Sequence, residues 1–251
     1  MSSTNSSDIT LKKLNWDSDF FGLKIGRHDY SSENIGALLD LMKKEEFDVV
    51  YVFSENPLNE NMDLNSKFEI NLVDQKVVYA KKPHDYEQEN SEVIFTAFGE
   101  NYEKLYELAL EAGQESRFLK DPLFGRKNFE KLYAIWIKNS VNRSIAAEVL
   151  ITKDDKEVTG LLTLGEKAGR ADIGLIAVDS AFRGSGLGRK LIQASEKWAI
   201  ENEYEEIQVV TQKENKRACT FYESLGFKED SITYIYHLWR RKKDNYENKR
   251  C

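Results

Sequence analysis

Residues 173–190 read IGLIAVDSAFRGSGLGRK, and the fold turns on this stretch. Ile173 to Val178 is an apolar run short enough to be a buried strand, and Asp179 to Phe182 follows as a turn. Glycines at 184, 186 and 188 then lead into an amphipathic helix that sets Leu187, Leu191, Ile192, Ser195 and Trp198 on or near one face. The glycines let the backbone approach a ligand, while the unpaired N–H groups and the dipole at a helix start attract a phosphate. An anion is therefore expected at residues 183–188. Taken without context, such a turn is more often structural than functional. It lacks the spacing of a P-loop, and it lies late in the chain, where a Rossmann fingerprint opens its domain.

Outward from this stretch, the chain alternates strand and helix. Upstream come a strand from Val93 to Phe98, a helix from Asn101 to Ala112, a loop containing Gly and Pro, and a helix from about Lys127 to Asn139. Strands at Ala146 to Thr152, Glu157 to Leu164 and Ala171 to Val178 are separated by Asp154-Asp155 and Lys167-Ala168-Gly169, both good reversal sites. After the glycine-rich helix, which ends near Asn202, come a strand (Ile207 to Thr211), a helix (Glu214 to Leu225) and a strand (Ser231 to Leu238). A meander followed by βαβ crossovers predicts an α/β fold with a mixed sheet and helices on its faces.

Residues 11–82 read as a smaller mixed α/β unit. Leu23 to Tyr30 is strand-like, Ser32 caps a helix with Ile35, Leu38, Leu39 and Met42 on one face, and strands follow at Val49 to Phe53 and Lys76 to Ala80. Asn56-Pro57 and the polar residues to Ser66 form a loop or short helix. Residues 83–92 are polar, contain Pro and lack periodicity, so they read as a linker to a second domain over 93–240. Residues 1–10 and 241–251 are expected to be flexible tails.

Composition narrows the classes of function. With 43 acidic and 36 basic residues, the chain carries a net charge of −7 and a pI near 5.3, a balance that disfavours nucleic acid as a partner. No apolar run approaches the roughly 20 residues of a membrane span, and the start lacks the pattern of a secretory signal, so no membrane insertion is expected. Cys219 and Cys251 are too few for a disulfide framework, which points to a reducing cytoplasm. His28, His84 and His237 form no two-ligand pattern, and no metal is expected.

Two segments carry a resemblance to a known family. Arg183-Gly184-Ser185-Gly186-Leu187-Gly188 resembles the R/Q-x-x-G-x-G/A signature of the GCN5-related N-acetyltransferase (GNAT) superfamily, and residues 215–227, NKRACTFYESLGF, look like its N-x-x-A-x-x-x-Y-x-x-x-G-F segment. The two occur in the family's order and separation, and with the meander the likeness covers about residues 93–240. It implies a GNAT fold with splayed central strands and acetyl-CoA, or another short acyl-CoA, as cosubstrate. Pantetheine would pair with Ile176, Ala177 and Val178, and the pyrophosphate would rest on the amides of 183–188. Arg183, Arg189 and Lys190 would add charge-assisted contacts, with a solvated helix face as the alternative for the last two; Lys213 and Lys216 have a weaker claim. Tyr222 matches the family's general acid toward the departing thiolate, the alternative being a core aromatic. Asn215 would position the coenzyme or its loop, or simply cap its helix. Cys219 reads as a small buried side chain, so an amine attacks directly with no acyl-enzyme.

The acceptor rests on other residues. Across 113–143 there are seven basic residues (Arg117, Lys120, Arg126, Lys127, Lys131, Lys138 and Arg143) against Glu115, Asp121 and Glu130, which should favour an anion over a polycation. Residues 14–22 (LNWDSDFFG), Glu115-Ser116-Arg117-Phe118, Asp121-Pro122-Leu123-Phe124 and Tyr133-x-x-Trp136-Ile137 resemble the dTDP-fucosamine acetyltransferase group, whose members acylate nucleotide-linked aminodideoxy sugars. The resemblance implies a dTDP-amino sugar as partner. Arg117 or Arg126 would hold its diphosphate, and Phe20, Phe21 or Phe118 would flank the thymine or the sugar methyl. The alternatives are packing of the first unit for Trp16, Phe20 and Phe21 and a surface ion pair for Arg117. Asp172 and Glu148 are the weak candidates for a base, and Gly174 would leave room for a longer acyl group. Enzymes of this kind are often dimers, so a homodimer is expected. The rival readings are a protein or polyamine acetyltransferase on the same fold and a CoA-binding regulator without catalysis.

Overall fold

A computed structural model describes residues 9–31, 35–59, 67–86, 93–95 and 99–241. The expected cap at Ser32, most of the loop to Ser66, the linker from 87 on, the end of the strand at 96–98 and nearly all of both tails lie outside these residues. Contacts divide the chain into two compact units, with breaks after Lys76 and after Ser231. Sequence had placed the join at 83–92 and the far end of the second domain at 240. The difference arises because two strands run longer than their apolar cores. β4 (Phe68–Lys81) begins in the first unit and ends in the second, and β10 (Lys228–Arg240) does the reverse. The first half of β4 escapes an apolar search because Asn71 and Leu72 are exposed and Asp74 is buried.

In the first unit, β1 (Lys12–Lys13) pairs antiparallel with β2 (Ile25–Tyr30), β2 runs parallel to β3 (Val49–Ser54), and β3 pairs antiparallel with β10. Parallel neighbours need a crossover, which α2 (Ile35–Lys44) supplies. Its Leu38, Leu39 and Met42 pack on Phe47, Val50, Val52 and Leu238. Helix α1 (Asn15–Phe21), absent from the sequence reading, is held by Ser18, whose buried hydroxyl donates to the Leu14 carbonyl (2.6 Å) and accepts from the Ile25 amide (3.1 Å).

In the second unit the order is β9 (Ile207–Gln212), β8 (Arg170–Val178), β7 (Glu157–Lys167), β6 (Glu148–Asp154) and β5 (Val93–Phe95). All neighbours are antiparallel except β8 and β9. The connections between β6, β7 and β8 turn where expected, with Asp155, Ala168 and Gly169 at positive φ. Residues 158–164 of β7 are all buried, as a strand covered on both faces requires. Helix α3 (Tyr102–Ala112) packs on β7 and β8 and against α5 (Arg126–Val141); α6 (Leu187–Glu201) packs on β6, β7 and β8, and α7 (Lys216–Ser224) on β9. A short helix, α4 (Arg117–Lys120), occupies the loop between α3 and α5.

Candidate active site

The site begins where two parallel strands part. β8 pairs with β9 only through Ala171↔Ile207, Asp172↔Gln208 and Ile173↔Val209, whereas its pairing with β7 continues to Val178. At the point of parting β8 carries a bulge: Leu162 faces Ile176 and Leu164 faces Ile173, so Gly174 and Leu175 together oppose Thr163. The Thr163 hydroxyl accepts the Leu175 N–H at 2.8 Å, replacing a ladder bond with a side-chain one. A Cβ on Gly174 would lie 2.9 Å from that oxygen. Gly174 is thus accounted for by the bulge, and the expectation that it makes room for a longer acyl group is not needed to explain it.

Between the parted ends lies a cleft of about 630 Å³. One wall is residues 174–178 of β8, another is residues 209–212 of β9, and the mouth is the glycine turn. Asp179 closes β8. Its carboxylate accepts from Lys104 Nζ (2.5 Å) and the Ala181 amide (2.9 Å), and these contacts, the lysine first, hold it below the usual carboxylate range. Gly184 and Gly186 have φ of +82° and +89°, and a Cβ on either would meet nothing within 4 Å. They are glycines for backbone conformation, and the space above them is open. No side chain caps α6 at Gly186, so its first amides keep their hydrogen-bonding capacity for an anion. Gly188 serves packing instead, since a Cβ there would press on Phe221 at 3.2 Å.

The structure brings together in one cleft Ile176, Ala177, Val178, Arg183, Gly184, Gly186, Leu187, Gly188, Arg189, Asn215 and Tyr222. Ser185 is exposed, with its hydroxyl turned to the Phe182 carbonyl. The Arg183 guanidinium is already engaged by the Val178 carbonyl (3.1 Å) and by Glu111 of α3. Arg189 is exposed and has no ion pair among the described residues; the same holds for Arg217, a cleft residue that sequence had not singled out. Asn215 caps α7 by accepting the Ala218 amide at 3.1 Å. Tyr222 is only 4% exposed, and its hydroxyl has no hydrogen-bond partner among the described residues. Burial, with a smaller contribution from Cys219, raises its pKa well above that of an ordinary phenol. Such a hydroxyl stays protonated throughout the physiological range.

The remaining candidates lie elsewhere. Phe20 and Phe21 belong to the first unit, where Phe20 stacks on Trp16 (5.0 Å) and meets Phe21 edge-on (4.7 Å). Arg117, Phe118 and Arg126 do not line the cleft. Arg117 lies over the Phe118 ring, Phe118 packs edge-on to Phe124, and Arg126 pairs with Glu130. Indeed none of the seven basic residues of 113–143 lines it; that wall is Glu111, Gln114, Glu115, Tyr133 and Trp136. Glu115 is paired with Lys120 (3.0 Å), and the Tyr133 and Trp136 rings lie 5.4 Å apart. Asp172 accepts from Gln208 (2.8 Å), Glu148 pairs with Arg143 (2.8 Å), and neither lines the cleft. Among the described residues no group of acidic, His or Cys side chains is placed to hold a metal, and no helix is long and apolar enough to cross a membrane.

The chain is 27% identical over 140 residues to the spore coat polysaccharide biosynthesis protein SpsD of Bacillus subtilis, a match covering 56% of this chain and 48% of SpsD. It is 35% identical over 69 residues to human N-alpha-acetyltransferase 30, covering 28% of this chain and 19% of that protein. The chain therefore spans about half or less of these relatives' length. Among solved structures, a conserved protein of unknown function from Staphylococcus epidermidis superposes with a TM-score of 0.64 at 12% identity, covering 96% of this chain and 94% of the other. A GCN5-related N-acetyltransferase from Kribbella flavida does so at 0.50 and 13%, covering 86% and 82%. At these identities the structures speak for the fold alone. Residues 102–227, half of the chain, match the acetyltransferase (GNAT) family, and they contain the bulged strand, the glycine turn and Tyr222: the chain belongs to the GNAT family.

Proposed function

We propose that this protein transfers an acyl group, acetyl in the simplest case, from the thioester of coenzyme A to the amino group of a nucleotide-linked aminodideoxy sugar destined for a surface polysaccharide. The observation that carries the acyl-transfer half is the Tyr222 hydroxyl, without a hydrogen-bond partner among the described residues and in the same cleft as the bare amides of the glycine turn. In this reading the pantetheine arm lies along residues 174–178, an edge of β8 that β9 has left, and completes the interrupted sheet. The diphosphate takes the first amides of α6, with Arg189 and Arg217 as counter-charges. The amine nitrogen donates its lone pair to the thioester carbon, the C–S bond breaks, and the amine proton passes to water. The departing thiolate meets Tyr222. Full proton transfer from an ordinary phenol to a thiolate is uphill by about 2 kcal/mol, and burial makes Tyr222 a still weaker acid, so the tyrosine acts as a hydrogen-bond donor to the thiolate.

For the acceptor, the support is the likeness to SpsD together with the Tyr133–Trp136 pair, which offers a sugar ring an aromatic face beside polar Gln114 and Glu115. The basic surplus of 113–143 gives the acceptor no support, because none of its seven basic residues lines the cleft. A second reading, acetylation of a protein α-amine, is favoured by the likeness to N-alpha-acetyltransferase 30. One assay separates them: thiol release from acetyl-CoA and longer acyl-CoAs against dTDP-linked 3-amino and 4-amino dideoxyhexoses and peptides with free N-termini. Turnover of a nucleotide amino sugar is expected. Turnover of peptides alone overturns the sugar assignment, and failure to bind coenzyme A overturns both readings.

A further inference from the structure

Sequence treats residues 79–86 as the end of a strand running into a linker, yet they hold together the two helices that build the cleft. Glu196 of α6 is wholly buried. Its carboxylate accepts from Lys81 Nζ (2.9 Å and 3.0 Å to the two oxygens), from the His84 amide (2.8 Å) and from the Tyr86 hydroxyl (3.3 Å). Lys81 Nζ also donates to the Leu225 carbonyl at 2.8 Å and lies over the Phe227 ring, 5.3 Å from its centroid. Leu225 ends α7 three residues beyond Tyr222, and Phe227 meets the Tyr222 ring edge-on at 5.9 Å. Two residues before Lys81, the Tyr79 hydroxyl donates to Glu223 (2.7 Å).

We infer that the Lys81–Glu196 pair is a positioning device for Tyr222, tying the end of α7 to α6, the helix whose start is the glycine turn. A pair of apolar side chains would hold two helices together at least as well, because burying an ion pair returns little stability. The ion pair adds direction. An ammonium donates in set directions, and here it donates to one carboxylate oxygen and to one particular carbonyl while the second oxygen lies within ion-pair distance, a set that fixes the placement of the end of α7. The Tyr222 hydroxyl makes no hydrogen bond among the described residues, so beyond the contacts of its ring with Tyr79, Phe221 and Phe227 its placement depends on the anchoring of its helix. The inference rests on the proposed role of Tyr222 at the leaving thiolate.

The test uses the full chain, acetyl-CoA, and hydroxylamine as a small amine that does not depend on which acceptor is natural, with its uncatalysed reaction with the thioester subtracted. Lys81→Met/Glu196→Met replaces the pair without stranding a buried charge, and Lys81→Arg keeps a cation. The double replacement should lower kcat roughly tenfold while leaving KM for acetyl-CoA within about twofold, and Lys81→Arg should recover most of the loss. In a Tyr222→Phe background the double replacement should cost nothing further, because what it positions is gone. An equal loss in both backgrounds, or no loss in either, overturns the inference. If Tyr222→Phe lowers kcat and the double replacement does not, this inference alone fails. If Tyr222→Phe has no effect, or the unaltered protein releases no thiol, the parent reading fails with it. Should the double replacement not fold, Lys81→Gln/Glu196→Gln, which removes both charges and keeps polar side chains of similar length, completes the same cycle.

Discussion

The glycine turn and the wall formed by α3 and α5 bound one cleft with different materials. In the turn the backbone is what faces the cleft, and the glycines at 184 and 186 are present for their φ and for the open space above them. In the wall, side chains face the cleft, and which ones do is decided by how α3, α5 and the turn after α3 lie: Glu115 and Trp136 line the cleft while Arg117 and Arg126 do not. A backbone site survives in sequence as a spacing. A side-chain site does not, because composition counts residues on every face of a helix.

The contrast breaks most visibly at Tyr222, a side chain whose position in a motif nevertheless identifies it. Tyr222→Phe should lower kcat about 100-fold while leaving KM for acetyl-CoA within about twofold, as steady-state kinetics will show; an unchanged kcat removes the tyrosine from the chemistry. Next is Thr163→Val, which leaves the Leu175 amide of the bulge without its acceptor and should cost about 2 kcal/mol in denaturant unfolding. Gly186→Val forces a β-branched residue to a φ near +89° and should weaken coenzyme A binding about tenfold by calorimetry, with kcat at saturation little changed. Trp136→Ala should raise KM for the amine about fivefold, and Arg126→Ala, an exposed residue paired with Glu130, less than about twofold. A larger effect at Arg126 than at Trp136 would reverse the assignment of the wall. The smallest effect is absent at neutral pH. Burial raises Tyr79 and Tyr222 above the ordinary phenol value, so the stability they contribute is intact below about pH 10 and declines as pH rises further, because the unfolded chain releases those protons first.

Much of the fold was legible because its signals are local. Helices α3 and α5 to α7 and strands β6 to β9 fall within a few residues of their expected limits, as apolar periodicity and reversal residues dictate. The bulge was not legible: nothing along β8 says that two residues will face one, since that depends on Thr163 in the neighbouring strand. Helix α1 was missed because its apolar residues are exposed or only partly buried and its one buried side chain is Ser18. Glu196 had a signal that went unused. It lies four residues after Ile192 and three before Ala199, both fully buried, so a charge on that stripe announces a distant partner.

The path of β4 has a practical corollary for anyone trimming the protein to a minimal catalytic piece. Cutting at the sequence-suggested border, to express residues 93–240, would discard Tyr79 and Lys81 together with the strand that carries them. Glu196 would remain in the interior without its countercharge, a loss of about 3–5 kcal/mol that a small domain tolerates poorly. A truncation that keeps these contacts must therefore begin upstream of Tyr79.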